Sequence, residues 1–123
     1  MLKTKRVYVP PSPDDGVRIL VDRIWPRGIR KEDLRMEAWY RDIAPSDDLR
    51  KWFSHDPEKW EEFKKRFFKE INGKDEFKKL VGIVREKSSK AGGNVTLLFS
   101  SREEVYNNAS ALKEFIEKEL RAK

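Results

Sequence analysis

Apolar residues recur along this chain at two spacings, and the change from one to the other divides it into strands and helices. Val7 and Val9 alternate with Arg6 and Tyr8, which predicts a short strand over Lys3 to Val9. Pro10-Pro11-Ser12-Pro13-Asp14-Asp15-Gly16 continues neither strand nor helix and predicts a loop. Val17 to Asp22 follows, and its unbroken run Ile19-Leu20-Val21 suits a strand covered on both faces. The run breaks at Trp25-Pro26-Arg27-Gly28. Beyond it, Lys31 to Arg35 predicts a helical turn and Ala38 to Ile43 a third strand, although Trp39 and Ile43, four apart, also fit a helix.

From residue 46 the spacing becomes helical. Ser46 is placed to cap a short helix, with Asp47 and Asp48 in the first turn and Leu49, Trp52 and Phe53 as its apolar stripe. Asp56-Pro57 restarts the pattern as cap and first residue. Trp60, Phe63, Phe67 and Ile71 form the next stripe, stopped by Asn72-Gly73. Phe77, Leu80, Val81 and Val84 predict a second long helix ending around Ala91-Gly92-Gly93. Val95 to Phe99 is the strongest strand, and Ala109, Leu112, Phe115, Ile116 and Leu120 mark a closing helix capped by Asn107 or Asn108. This order predicts one compact α/β domain over residues 1–123, with a small mixed or mostly parallel central sheet flanked by helices.

Composition narrows the chemistry. The 123 residues are enough for a single core. Cysteine is absent, which excludes disulfides, thiolate catalysis and cysteine-based metal sites, and the lone histidine, His55, excludes a histidine cluster. No metal and no cofactor is therefore expected. No apolar run approaches the roughly 20 residues of a membrane span, and Met1 to Val9 lacks a signal-peptide core. The expectation is a soluble cytoplasmic protein with no membrane partner. Charged residues reach 41%, of mixed sign, as in the ion networks of heat-resistant proteins. The net charge of +6 is spread over both halves and forms no polybasic arm, so nucleic acid is a less favoured partner. The heavily charged helix surfaces neither require nor exclude a dimer.

In an open α/β sheet, ligands gather beyond the carboxyl ends of the strands. Two strand exits here carry suitable residues. Asp22-Arg23-Ile24-Trp25-Pro26-Arg27-Gly28 offers two guanidinium forks for phosphate or carboxylate, and an indole for stacking. The same residues also suit a proline turn with Trp25 packed beneath it. Ser100-Ser101-Arg102-Glu103-Glu104-Val105-Tyr106-Asn107-Asn108 leads into the last helix, where hydroxyls and free N–H groups can cradle an anion or simply cap the helix. His55 is the one neutral-pH proton carrier available, with Asp48 or Asp56 to orient it. Asp14-Asp15 fits turn chemistry as well as it fits a metal or acid/base role.

Three blocks, DDGVRILVDRIWPRG, AWYRDIAPSDDLRKWFSHDPEKWEEFKKRF and VTLLFSSREEVYNNASALKEFI, together resemble the YeaO-like branch of the domain-of-unknown-function 488 family over nearly the whole chain. The resemblance implies a small α/β domain and no particular reaction. Asp22, Arg23, Trp25, Pro26, Arg27 and Gly28 fall on one family motif. Ala44-Pro45-Ser46, Leu49, Trp52, Phe53 and His55 fall on a second, and Thr96, Leu97, Asn108 and Ala109 on the last strand and helix. Phe99-Ser100-Ser101-Arg102-Glu103 departs from the Tyr-x-x-Lys-Asp usual in relatives, and the cysteine- and histidine-containing segment of the longer branch is missing.

The resulting expectation is an anion-binding pocket for phosphate or carboxylate. Arg23, Trp25, Arg27, Ser100, Ser101 and Asn108 would bind the ligand, while His55 and Asp22 would serve if the pocket is catalytic. The alternative is a basic nucleic-acid-binding or protein-interaction module using Trp25 and Trp52 beside their neighbouring cations. A third reading has the arginines and aspartates holding the protein's own loops.

Overall fold

The structure, a computed structural model, describes residues 1–90 and 92–122; Ala91, part of the predicted helix stop, lies outside the described residues. Among the described residues four strands form one sheet: β1 Leu2–Arg6, β2 Val17–Leu20, β3 Ala38–Trp39 and β4 Val95–Phe99. Their order is β1-β4-β2-β3 and every pairing is parallel, with Leu2 and Val17 both opposite Val95. The helices are α1 Lys31–Leu34, α2 Asp47–Phe53, α3 Trp60–Ile71, α4 Asp75–Ser88 and α5 Asn108–Arg121. The fold is a layered α/β domain, as the pattern predicts, and the sheet is wholly parallel.

Successive strand residues point to opposite faces of a sheet, and here the two faces differ. Ile19, Val21, Val95, Leu97 and Phe99 pack in the main core with Phe63, Phe67, Leu80, Val84, Leu112 and Ile116 from α3, α4 and α5. Leu20 and Leu98 face the other way, with Val7 and Leu34, under a partial roof of Trp25, Ile29, Met36 and Trp39. Both central strands are therefore covered on both sides, which explains why Ile19-Leu20-Val21 shows no polar alternation.

The second face also carries charge. Arg18 is buried beside Leu20; its Nε and Nη2 donate to the Leu34 carbonyl at 3.1 and 2.7 Å, and its Nη1 reaches Asp15 Oδ2 at 2.5 Å. Lys5 Nζ meets the other Asp15 oxygen at 2.9 Å, and Thr96 Oγ1 donates to the Asp15 carbonyl at 2.7 Å. Gly16, next in the chain, has φ 62°, and a Cβ there would strike the Asn94 carbonyl oxygen. Only glycine combines that conformation with so close an approach.

Three predicted strands are shorter in the structure, the second ending at Leu20 rather than Asp22. The first ends at Arg6, because the chain turns just beyond it: Val9 N–H donates to the Arg6 carbonyl, and Pro10 follows. The third is strand only at Ala38–Trp39. Arg41–Ile43 turns into a 3-10 helix that delivers Ile43, fully buried, into the helix-side core. The capping expectations are met at Ser46, which accepts from Leu49 N–H, and at Asp56, which opens the 3-10 turn Pro57–Lys59 ahead of α3. Asn107, rather than Asn108, caps α5. Among the described residues no helix is long and apolar enough to cross a membrane.

Candidate functional site

β2 and β4 are neighbours in the sheet, yet their continuations leave on opposite sides. The chain after β2 runs to α1, whose Leu34 sits on the second face, while the chain after β4 runs to α5, on the main-core face. Such a divergence opens a crevice at the carboxyl ends of the strands. A cleft of about 210 Å³ lies there. The exit of β2 contributes Asp22, Arg23 and Ile24, and the exit of β4 contributes Ser100, Ser101 and Asn108. Ala44, Pro45, Phe53 and Phe63 form an apolar wall, with Arg50 and His55 at its edge.

Asp22 joins the two exits. Its Oδ2 accepts from Ser100 N–H at 2.8 Å and from Ser100 Oγ at 2.7 Å, and its Oδ1 accepts from Asn108 Nδ2 at 3.1 Å. Asn108 Nδ2 also reaches the Val21 carbonyl at 3.1 Å, and Trp39 Nε1 donates to the Asp22 carbonyl at 2.6 Å. One carboxylate thus fastens β2 to β4 and to the first turn of α5, using neutral donors throughout. Arg23, the next residue, is exposed at the cleft and makes no hydrogen bond or ion pair with the protein among the described residues.

His55 enters the cleft from an unusual backbone. Ser54 and His55 have φ 46° and 56°, both left-handed, a region that side chains with a Cβ rarely adopt. Nδ1 of His55 lies 3.0 Å from the Tyr106 carbonyl oxygen, which can only accept, so Nδ1 carries the hydrogen and Nε2 faces Ser101 Oγ at 3.4 Å. That last contact is long for a hydroxyl hydrogen bond, so the pair is a loose one. Ser101 Oγ also accepts from Glu103 N–H at 3.0 Å. The N–H groups of Val105 and Tyr106, with a smaller contribution from nearby His55, hold the Glu103 carboxyl below the usual range. Glu103 thereby folds the turn that aims the Tyr106 carbonyl at His55.

Six of the eight residues expected at the site meet in this cleft: Asp22, Arg23, His55, Ser100, Ser101 and Asn108. The structure places the other two elsewhere. Trp25 turns to the second face, where its Nε1 donates to the Ile29 carbonyl at 2.7 Å and its ring meets Trp39 edge-on at 5.5 Å. Arg27 stays exposed, and its carbonyl accepts from Tyr8 Oη at 2.9 Å. The chain bends at Arg23–Ile24 and turns again at Arg27–Gly28, with φ 79° at the glycine, so that neighbours in sequence part in space.

Arg50 was not foreseen as a cleft residue. It stands three positions before Phe53 on α2, and that i, i+3 spacing puts both on one helix face, which is the signal that finds it. Its Nη2 meets Asp47 at 3.1 Å, with both side chains about half exposed. The Tyr106 carbonyl that orients His55 is a backbone group and left no mark in the sequence pattern.

The fold and cleft define a small parallel α/β protein that gathers polar and charged side chains at its strand exits. The chain belongs to the domain-of-unknown-function 488 family: the model of the inactive DUF488-N3 subclade matches residues 1–123. Among its relatives is YeaO, an uncharacterized protein of Escherichia coli (strain K12), 36% identical over 116 residues that cover 94% of this chain and 96% of YeaO. The uncharacterized protein Rv3073c of Mycobacterium tuberculosis (strain ATCC 25618 / H37Rv) is 48% identical over 84 residues, 66% of this chain and 71% of its own. Mb3100c, an uncharacterized protein of Mycobacterium bovis, matches to the same extent. No solved structure matches the chain.

Proposed function

We propose that the cleft binds a small anion, a phosphate or a carboxylate, with Arg23 as its principal contact and Arg50 and His55 beside it. One observation carries this reading: Arg23 stands at a cleft between strand exits with no acceptor from the protein among the described residues, whereas the buried Arg18 has two. A guanidinium fork matches a phosphate or carboxylate edge. The description of the subclade as inactive favours binding over turnover. On this reading Asp22 braces the site and His55, with Nδ1–H held by the Tyr106 carbonyl, donates to the ligand from Nε2 in its protonated form, in place of the catalytic roles otherwise open to them.

The nucleic-acid alternative has less support, because the aromatic faces that bases would stack on are occupied. Arg66 and Lys59 cover Trp52 at 4.2 and 5.1 Å, and Trp25 is partly buried on the second face, edge-on to Trp39 at 5.5 Å. A cytoplasmic, heat-stable protein is the setting we propose, supported by the cysteine-free sequence and by ion pairs such as Arg66–Glu62 and Lys64 between Glu61 and Glu114.

Titration of the ¹⁵N-labelled protein with inorganic phosphate and with acetate tests the anion reading. The arginine side-chain signal of Arg23 and the ring signals of His55 should shift and saturate, and Arg23→Ala should weaken binding at least about tenfold, or about 1.4 kcal/mol. Saturation that leaves Arg23 and His55 unmoved, or no response to either anion, overturns the reading.

A further inference from the structure

The cleft has unbalanced charge of both signs. Asp22 accepts three hydrogen bonds, all from neutral groups, and no cation is paired with it among the described residues. A carboxylate offers about four acceptor positions, so Asp22 retains one, and Oδ1, with a single donor, is the oxygen that has it. Arg23 follows it in the chain, lines the same cleft, and is paired with neither Asp22 nor any other acid among the described residues. Two other acid–arginine pairs near in sequence do meet: Asp15 and Arg18 at 2.5 Å, Arg30 and Asp33 at 3.0 Å. Asp22 and Arg23 each stand at the cleft with a charge left for a third party.

We infer that the ligand is a small zwitterion of the α-amino-acid type. Its carboxylate would lie on Arg23, its ammonium on Asp22 Oδ1, and its side chain against Pro45, Phe53 and Phe63. The size agrees: about 210 Å³ is below the roughly 300–1,000 Å³ that drug-sized ligands occupy. Apart from its polar and charged residues the cleft is lined by Ile24, Ala44, Pro45, Phe53 and Phe63, so a short aliphatic side chain fits better than a polar one. This assignment rests on the anion-binding reading for the carboxylate half and adds the cationic half.

Isothermal titration calorimetry of the intact chain with three matched compounds decides it: leucine, 4-methylpentanoate, which lacks the ammonium, and 3-methylbutylamine, which lacks the carboxylate. Leucine should bind at least about tenfold more tightly than either partial compound. Asp22→Asn, which keeps the side-chain shape, should bring leucine down to the level of 4-methylpentanoate. Arg23→Ala, at an exposed position, should weaken both carboxylates. Because the three compounds are first compared on the unaltered protein, the test survives a folding defect in the Asp22 variant. Equal affinity for leucine and 4-methylpentanoate overturns the zwitterion and leaves the anion reading standing. Failure of both carboxylates, with inorganic phosphate also inert, overturns the two together.

Discussion

Two clusters of charge flank β2, one just before it and one just after. The earlier, Asp15 with Lys5 and Arg18, is closed: both Asp15 oxygens are taken by cations, and the spare Arg18 donors go to the Leu34 carbonyl. Asp15 and Arg18 are 3% and 5% exposed. The later is open: Asp22 and Arg23 have no ionic partner among the described residues, and they border a cleft beside His55 and Arg50, the latter paired with Asp47. The same residue types do different work in the two places. Low-dielectric surroundings make an unpartnered charge costly, so buried ions must satisfy one another. Beside a solvent-filled cleft that pressure is absent, and a charge can be kept for a ligand.

The largest effect should therefore come from breaking the closed cluster. Asp15→Ala leaves Lys5 and Arg18 facing each other with no anion between them. The loss should be about 3–5 kcal/mol of folding stability, read from urea unfolding of the variant. The acid limb of the stability profile gives a second reading of the same cluster. Burial alone would raise the Asp15 carboxyl, but Lys5, the Ser12 N–H and Arg18 together hold it below its ordinary 3.8. A depressed folded value means a stabilisation that is complete above the unfolded value and is lost as pH falls through the folded one. Wild-type stability should fall with acid below about pH 4, and the Asp15→Ala profile should be flatter in that window. Parallel acid limbs for the two proteins would show that the cluster contributes nothing there.

Arg23→Ala should do the reverse of Asp15→Ala: stability within about 0.5 kcal/mol of wild type, with anion binding weakened at least about tenfold. A large fall in melting temperature would mean that Arg23 is also a structural arginine, and the contrast between the clusters would disappear.

The sequence announces this contrast only in part. Ile19-Leu20-Val21 and Val95 to Phe99 read as buried strands because apolar runs bounded by turn residues have few other uses. From them follow the layered fold and the prominence of the two exits. Asp22, Arg23, Ser100, Ser101 and Asn108 could thus be named from their position after a strand. His55 could be named because it is the sole histidine. What stays hidden is direction. Trp25 and Arg27 belong to the same short motif as Arg23, but the chain bends at Arg23–Ile24, ahead of Trp25, and Trp25 lies on the opposite face. Arg18 lies inside an apolar strand, and Asp15 inside what reads as ordinary turn chemistry; that they meet depends on the approach of Gly16 to Asn94. Strand alternation was the available clue, since Arg18 and Leu20 are two apart and must share a face.

A third acid falls between the two extremes and sharpens the comparison. Glu76, in the first turn of α4, is half-buried, with one carboxyl oxygen lacking a partner among the described residues. Burial, and then the neighbouring Asp42, push its carboxyl above the usual 4.5. A raised folded value means a contribution that is present below the unfolded value and lost as pH rises through the folded one. Glu76 should therefore cost stability at neutral pH. Glu76→Gln keeps the shape and removes the charge, and should stabilise the protein by about 1 kcal/mol at pH 7. The gain should vanish by about pH 4. A gain independent of pH would trace the effect to packing instead.

The smallest effect separates backbone strain from side-chain chemistry at the open cluster. Ser54 and His55 are both left-handed, and only the second carries an imidazole into the cleft. A left-handed residue with a Cβ costs about 1–2 kcal/mol, and glycine returns about 0.5–1 kcal/mol of that as unfolded-chain entropy. Ser54→Gly also loses the hydrogen bond from Ser54 Oγ to the Lys51 carbonyl at 2.7 Å, which is exposed. The net should be a stabilisation of about 0.5 kcal/mol, with anion affinity unchanged. His55→Gly relieves the adjacent residue in the same way but removes the imidazole, so stability should hold while anion affinity falls. If Ser54→Gly weakens binding as much as His55→Gly does, the left-handed pair serves the site through its rigidity, and the imidazole is incidental.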